Sequence, residues 1–99
     1  MNEQELENEI KVKGLDAPRL TPEIIDSKIK ETTYFYKGTL TICVITVQNG
    51  NHVIGESACV SPKNYDKEIG DKLAFDDARR KIWRLEGYRL AEEQFYKDM

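Results

Sequence analysis

The fold is read from residues 39–60: Thr39-Leu40-Thr41-Ile42-Cys43-Val44-Ile45-Thr46-Val47-Gln48, then Asn49-Gly50, then Asn51-His52-Val53-Ile54-Gly55-Glu56-Ser57-Ala58-Cys59-Val60. The first run is rich in β-branched residues and predicts the strongest strand of the chain. Asn-Gly between two such runs is the strongest short hairpin signal and favours a two-residue type I′ turn. That turn sets a register, with Gln48 opposite Asn51 and Val47 opposite His52. Leu40, Ile42, Val44 and Thr46 then share a face with Val53, Gly55, Ser57 and Cys59. Thr41, Cys43, Ile45 and Val47 share the other with His52, Ile54, Glu56, Ala58 and Val60. Cys43 is expected opposite Glu56, and the two cysteines on opposite faces, which argues against a bridge. A bulge at Gly55 would turn over every later residue.

Upstream, Thr32-Thr33-Tyr34-Phe35-Tyr36 predicts a further strand, joined through a turn at Lys37-Gly38. Before it, Thr21-Pro22 reads as an N-cap and first helical position, and Leu20 and Ile25 as a hydrophobic staple. That helix is expected to run to about Lys30. Downstream, Ser61-Pro62 repeats the cap-then-proline start. Tyr65, Ile69, Leu73, Ala74, Ala78, Ile82 and Leu85 recur at helical spacing, with Trp83 beside them. Gly70 suggests close approach of helix to sheet. Gly87 suggests an end or bend, with a second helical piece through Tyr88, Ala91 and Phe95 to about Lys97. The order is α-β-β-β-α(α), an α+β fold. A three-stranded antiparallel meander is packed on one face by a long C-terminal helix and a short N-terminal helix. Residues 1–18 read as an acidic arm, flexible or loosely docked, and residues 19–99 as one domain.

The chain has 99 residues, 39% apolar and 33% charged, which suits one small folded domain with one core. Its net charge of −3 weighs against general nucleic-acid binding, which draws on a basic excess. The acidic opening Met1-Asn2-Glu3-Gln4-Glu5 is unlike a signal peptide. The uncharged run from Gly38 to Gly55 holds too many Thr, Asn, Gln and His residues to span a bilayer. A cytoplasmic location is expected, with no membrane partner and two unbridged thiols.

No catalytic residues are assigned. His52 is the sole histidine and reads as a solvent-facing residue beside the turn. A carboxylate at Glu56 would raise the pKa of the Cys43 thiol rather than activate it. Cys43, Cys59 and His52 are too few for a metal site, and no cofactor is expected. The densest charge cluster pairs Asp76 with Arg80 and Asp77 with Lys81 at i,i+4 spacing, which suits a solvated helix face. As an alternative, Arg79, Arg80 and Arg84 would clamp a phosphate across an oligomer interface. Trp83, Arg84 and Tyr88 interleave aromatic and cationic groups, the composition of an interaction hot spot, and also suit packing of helix on sheet. Tyr34 and Tyr36 mark a second candidate surface on what reads as an edge strand, which left open would invite pairing with a second copy.

Several of these motifs together resemble a known family. They are Pro18-Arg19-Leu20-Thr21-Pro22, Leu40-Thr41-Ile42-Cys43-Val44, Asn49-Gly50, Gly55-Glu56-Ser57-Ala58-Cys59-Val60, Ala78-Arg79-Arg80-Lys81-Ile82-Trp83 and Glu86-Gly87-Tyr88. The resemblance, over about residues 18–90, is to a small tailed-phage and prophage protein family named after hypothetical proteins of phages N4 and Sf6. It implies a phage or prophage origin and a role inside the infected bacterium, and it carries over no catalytic residues. The α-β-β-β-α order also matches double-stranded RNA-binding domains at the level of fold alone. The lysines Lys63 and Lys67 are offset by Asp66 and Glu68, so RNA or DNA binding is a lesser alternative. Small size, absence of a catalytic constellation and a surplus of aromatics point instead to a non-enzymatic phage accessory protein. It is expected to bind a host bacterial protein in host takeover or anti-defence, and a homodimer is expected as a further association. The other alternative is an oligomer that sequesters a nucleotide or small ligand.

Overall fold

Each α-helix starts where the chain supplies a cap. The computed structural model describes residues 1–99. Asn2 caps α1 (Glu3–Val12), Thr21 caps α2 (Pro22–Ser27) and Asp66 caps α3 (Lys67–Lys97), each side chain accepting a backbone N–H of the first turn. Between α2 and α3 lie β1 (Ile29–Lys37), β2 (Leu40–Val47), β3 (His52–Ala58) and a 3-10 turn at Pro62–Asn64. The strands form one antiparallel sheet in the order β1-β2-β3. The expected α+β meander under a long C-terminal helix is therefore the fold. Its boundaries differ in several places, α2 ending at Ser27 rather than near Lys30. β1 begins at Ile29, with a register shift between Ile29 and Glu31. Ser61-Pro62 opens only the 3-10 turn, and the long helix starts at Lys67.

The hairpin between β2 and β3 departs from the two-residue turn. Gly50 N–H donates to Val47 O and Val47 N–H donates to Asn51 O, both at 2.9 Å. The loop is therefore Gln48-Asn49-Gly50, closed by Gly50 at φ +91°. A type I′ turn needs positive φ at both central residues, and Asn49 does not adopt it. Its side chain instead accepts the Asn51 N–H at 3.0 Å, stabilising the wider loop. The extra residue turns over all of β3. Cys43 lies opposite Gly55, Ile45 opposite Val53 and Ile42 opposite Glu56. The expected pairing of Cys43 with Glu56 is thus replaced. Both cysteines are free, but the expected opposite-face reason does not hold: Cys43 is paired with Gly55, whereas Cys59 N–H donates to Thr39 O beyond the end of β3.

This register creates the core. Thr41, Cys43 and Ile45 alternate inward along β2, and Val53 and Gly55 along β3. They meet Ile25 of α2 and Ala74, Ala78 and Ile82 of α3. The buried stripe of α3 is Gly70, Ala74, Ala78 and Ile82, at strict i,i+4 spacing. Ile69, Leu73 and Leu85, expected in that stripe, are each more than half exposed. Small residues win the inward positions because the helix lies directly on the sheet. A Cβ added at Gly55 would stand 2.8 Å from Ala78 Cα and closer still to Ala74 O and Ala78 N. A Cβ at Gly70 would stand 2.8 Å from Thr41 Oγ1.

α3 runs unbroken through Gly87, where an end or bend was expected. One helical glycine costs about 1 kcal/mol against Ala, too little to stop a helix supported on both sides. Its 31 residues reach about 46 Å, whereas the strands of the sheet reach about 27 Å. The far half of α3 therefore overhangs the sheet. It is tethered by Lys28 to Glu86 at 3.4 Å and by Gln94 Nε2 to Pro18 O at 3.4 Å. α1 buries none of its residues and is held by Arg19 to Glu7 at 2.7 Å and Arg79 to Glu3 at 2.9 Å. The result is a thin plate of 53 × 32 × 19 Å. Its radius of gyration is 16.5 Å, where about 13 Å is usual for this length.

Candidate interaction surfaces

β2 is apolar on both faces, and the chain covers only one of them. The helices take the face of Thr41, Cys43, Ile45 and Val47. The opposite face carries Thr33 and Phe35 from β1, Leu40, Ile42 and Val44 from β2, and Ile54 and Ala58 from β3. Phe35 is 55% and Ile54 52% exposed, and no element packs over them. Glu31, Lys37, His52 and Glu56 lie on the same face toward its edges. The arrangement is an apolar centre with a polar rim, the anatomy of a protein interface. The signal was present in the sequence: Leu40 to Val47 reads as a run buried on both sides, yet one helical layer was available to bury it.

The residues singled out earlier fall into three places. Trp83 and Tyr34 pack against the core cluster, on the helix side of the sheet. Burial raises the pKa of the Tyr34 phenol, with the nearby Cys43 and Asp71 adding to it. Tyr36 donates its hydroxyl to Asp71 Oδ1 at 2.7 Å, and Lys67 stands 4.8 Å over its ring. Hydrogen bonding to Tyr36 and then to Asp71 raises the Lys67 pKa. Arg84 and Tyr88 share one stripe of α3 with Lys81 and Leu85. Tyr88 is 70% exposed there. At about 100° per residue, Trp83 points to a different side of the helix, so Trp83, Arg84 and Tyr88 do not form one patch.

The arginines also diverge. Arg79 is spent on Asp26 at 2.8 Å and Glu3 at 2.9 Å. Arg80 bonds Asp77 at 3.0 Å. Arg84 stands apart, beside a shallow hollow of about 430 Å³ with His52, Ile54, Lys81 and Leu85. The structure does not bring Arg79, Arg80 and Arg84 together within one chain. The expected i,i+4 pairs do not form: Arg80 turns from Asp76 to Asp77 within the helix, and Asp77 and Lys81 turn to the sheet. Asp77 Oδ2 accepts Glu56 N–H at 2.9 Å, and Lys81 Nζ donates to Ile54 O. The Glu56 N–H, with Arg80 and Lys81 assisting, holds the Asp77 carboxyl below its ordinary pKa.

The surroundings of the nucleophilic and basic groups are plain. Burial pushes the Cys43 thiol up. His52 Nδ1 bonds only Thr46 Oγ1, at 3.0 Å. No three His, Cys, Asp or Glu side chains gather as a metal ion would require. No helix is long and apolar enough to cross a membrane.

One packed face and one bare face define a two-layer α+β protein that presents surfaces rather than a deep cleft. Residues 20–94 match the model of the phage protein (N4 Gp49/phage Sf6 gene 66) family, and the chain belongs to that family. Comparison with curated proteins and with solved structures finds no match.

Proposed function

We propose that this phage-family chain is a non-enzymatic accessory protein that binds a protein of the bacterial host through the bare face of its sheet. The observation that supports this is β2, whose Leu40, Ile42 and Val44 are apolar on the side that nothing covers. Apolar area left in water is worth about 25 cal/mol per Å² once a partner buries it. A patch of this chemistry selects an apolar protein surface over a polyphosphate, because its centre offers no cation. Binding there would redirect or inhibit the captured host protein, in takeover or anti-defence, in the host cytoplasm. The exposed stripe of Arg84, Leu85 and Tyr88 is a second surface for the same kind of partner.

The test is an affinity pull-down of the tagged chain from host lysate, with and without nuclease, read by mass spectrometry. One host protein in near-stoichiometric amount, unchanged by nuclease, is the expected result. Recovery of nothing, or of material lost with nuclease, would reject the reading.

A further inference from the structure

The two edges of the sheet are finished differently. At β3, Asp77 and Lys81 of α3 reach down and occupy the outward-pointing Glu56 N–H and Ile54 C=O. That is one of the ways a strand edge is protected from pairing. β1 has no such cover. The ladder identifies its free groups. Val47 N–H bonds Asn51 O and Cys59 N–H bonds Thr39 O, so the odd-numbered residues of β2 bond toward β3. Leu40, Ile42, Val44 and Thr46 then bond toward β1, where their partners are Lys37, Phe35, Thr33 and Glu31. The backbone groups of Thr32, Tyr34 and Tyr36 therefore point away from the sheet. No side-chain hydrogen bond reaches them. Neither proline nor bulge interrupts the strand from Glu31 to Lys37. α3 packs chiefly on β2 and β3 and meets β1 through Asp71 and Lys67 at the Tyr36 side chain, so the long helix leaves the backbone edge of β1 open.

We propose that β1 pairs antiparallel with β1 of a second copy, about a two-fold axis at Tyr34, making one sheet continuous across both chains. The register follows from the free groups. With Tyr34 opposite Tyr34 of the second copy, Thr32 meets Tyr36 and every outward-pointing residue is paired. On the bare face the same register sets Glu31 opposite Lys37 of the second copy, twice, by symmetry. It also sets Phe35 opposite Thr33, an aromatic and β-branched pair. Glu31 and Lys37 are exposed, and neither has an ion-pair partner in its own chain. An axis at Thr33 would oppose Glu31 to Phe35, and one at Phe35 would oppose Lys37 to Thr33, so both lose the charge pairs. Such isologous two-fold contacts are the commonest form of homo-oligomer.

The surface area has room for this contact. The chain exposes 7378 Å², whereas a folded monomer of its mass exposes about 5,800 Å². The excess exceeds the roughly 800 Å² that each partner gives to a standard interface. The dimer also joins the two bare faces side by side, leaving both for another protein.

Sedimentation equilibrium of the full chain at micromolar concentrations tests the proposal. The expected mass is twice the chain's 11.5 kDa. Glu31→Lys and Lys37→Glu each put like charges opposite one another on both sides of the axis. Each is expected to weaken the dimer on the order of tenfold or more. The double variant Glu31→Lys/Lys37→Glu restores the pairs and is expected to restore the dimer, with circular dichroism showing all three folded. A monomer at every concentration overturns the proposal. So does a dimer indifferent to the single changes, including one that instead dissociates on Ile42→Glu and so joins through the bare faces.

Discussion

Gly55 shows how one residue sets the distance between layers. Its missing side chain is where the backbone of α3 sits, so Gly55→Ala must push the helix off the sheet. The expected cost is about 3 kcal/mol or more, read from chemical denaturation, and a loss under 1 kcal/mol would show that the helix has slack. Thr41 is the opposite case. Its hydroxyl is buried against Gly70 without a hydrogen-bond partner. Thr41→Val keeps the shape and removes the unpaired group, and is expected to stabilise by about 1 kcal/mol in the same assay. Asp77 links charge to pH. Its folded pKa lies below the ordinary value of 3.8, so its contribution is present above that value and is lost as pH falls through the folded pKa. Asp77→Asn should therefore lower stability at neutral pH and flatten the fall in stability below about pH 4. An unchanged acid limb would show that the bond to Glu56 N–H carries little. Gly70 of the seam was legible as a site of close approach. The role of Asp77 was not, because its partner is a backbone group on β3, 21 residues away in the sequence.

At the scale of elements, caps and strands were legible, and register was not. Thr21-Pro22 starts α2 because a hydroxyl and a proline each suit one position of a helix start, whatever lies around them. Asn49-Gly50 admits two loop lengths, and the choice fell to the Asn49 side chain and to the packing of Gly55 under α3. A slip of one residue was enough to exchange the faces of β3. Gly87 misled in the other direction. Glycine is a common helix terminator, but the chain beyond it continues the helix, and Leu20 packs alongside, its Cδ1 4.0 Å from where an alanine Cβ would stand. Gly87→Ala therefore fits without strain. It should raise stability by about 0.5–1 kcal/mol in thermal or chemical unfolding. A loss instead would mean that α3 bends there in solution.

The whole molecule is a plate with too little interior for its length. Ten of its 99 residues are buried, and the large apolar side chains left outside include Phe35, Ile54, Leu85 and Tyr88. The aromatic surplus that first suggested an interaction surface was legible in composition. Its location was not, since which tyrosines face the helix depends on the alternation of β1 and on where α3 lies. Tyr34 went to packing and Phe35, one residue on, to the bare face. The proposal that this face binds a host protein stands or falls on a single comparison. Tagged wild-type chain and the folded variants Ile42→Glu and Val44→Glu are used side by side to capture protein from host lysate. One stoichiometric host protein held by the wild type and lost by both variants is the predicted result. The same protein held equally by all three would contradict the proposal and place the binding surface elsewhere.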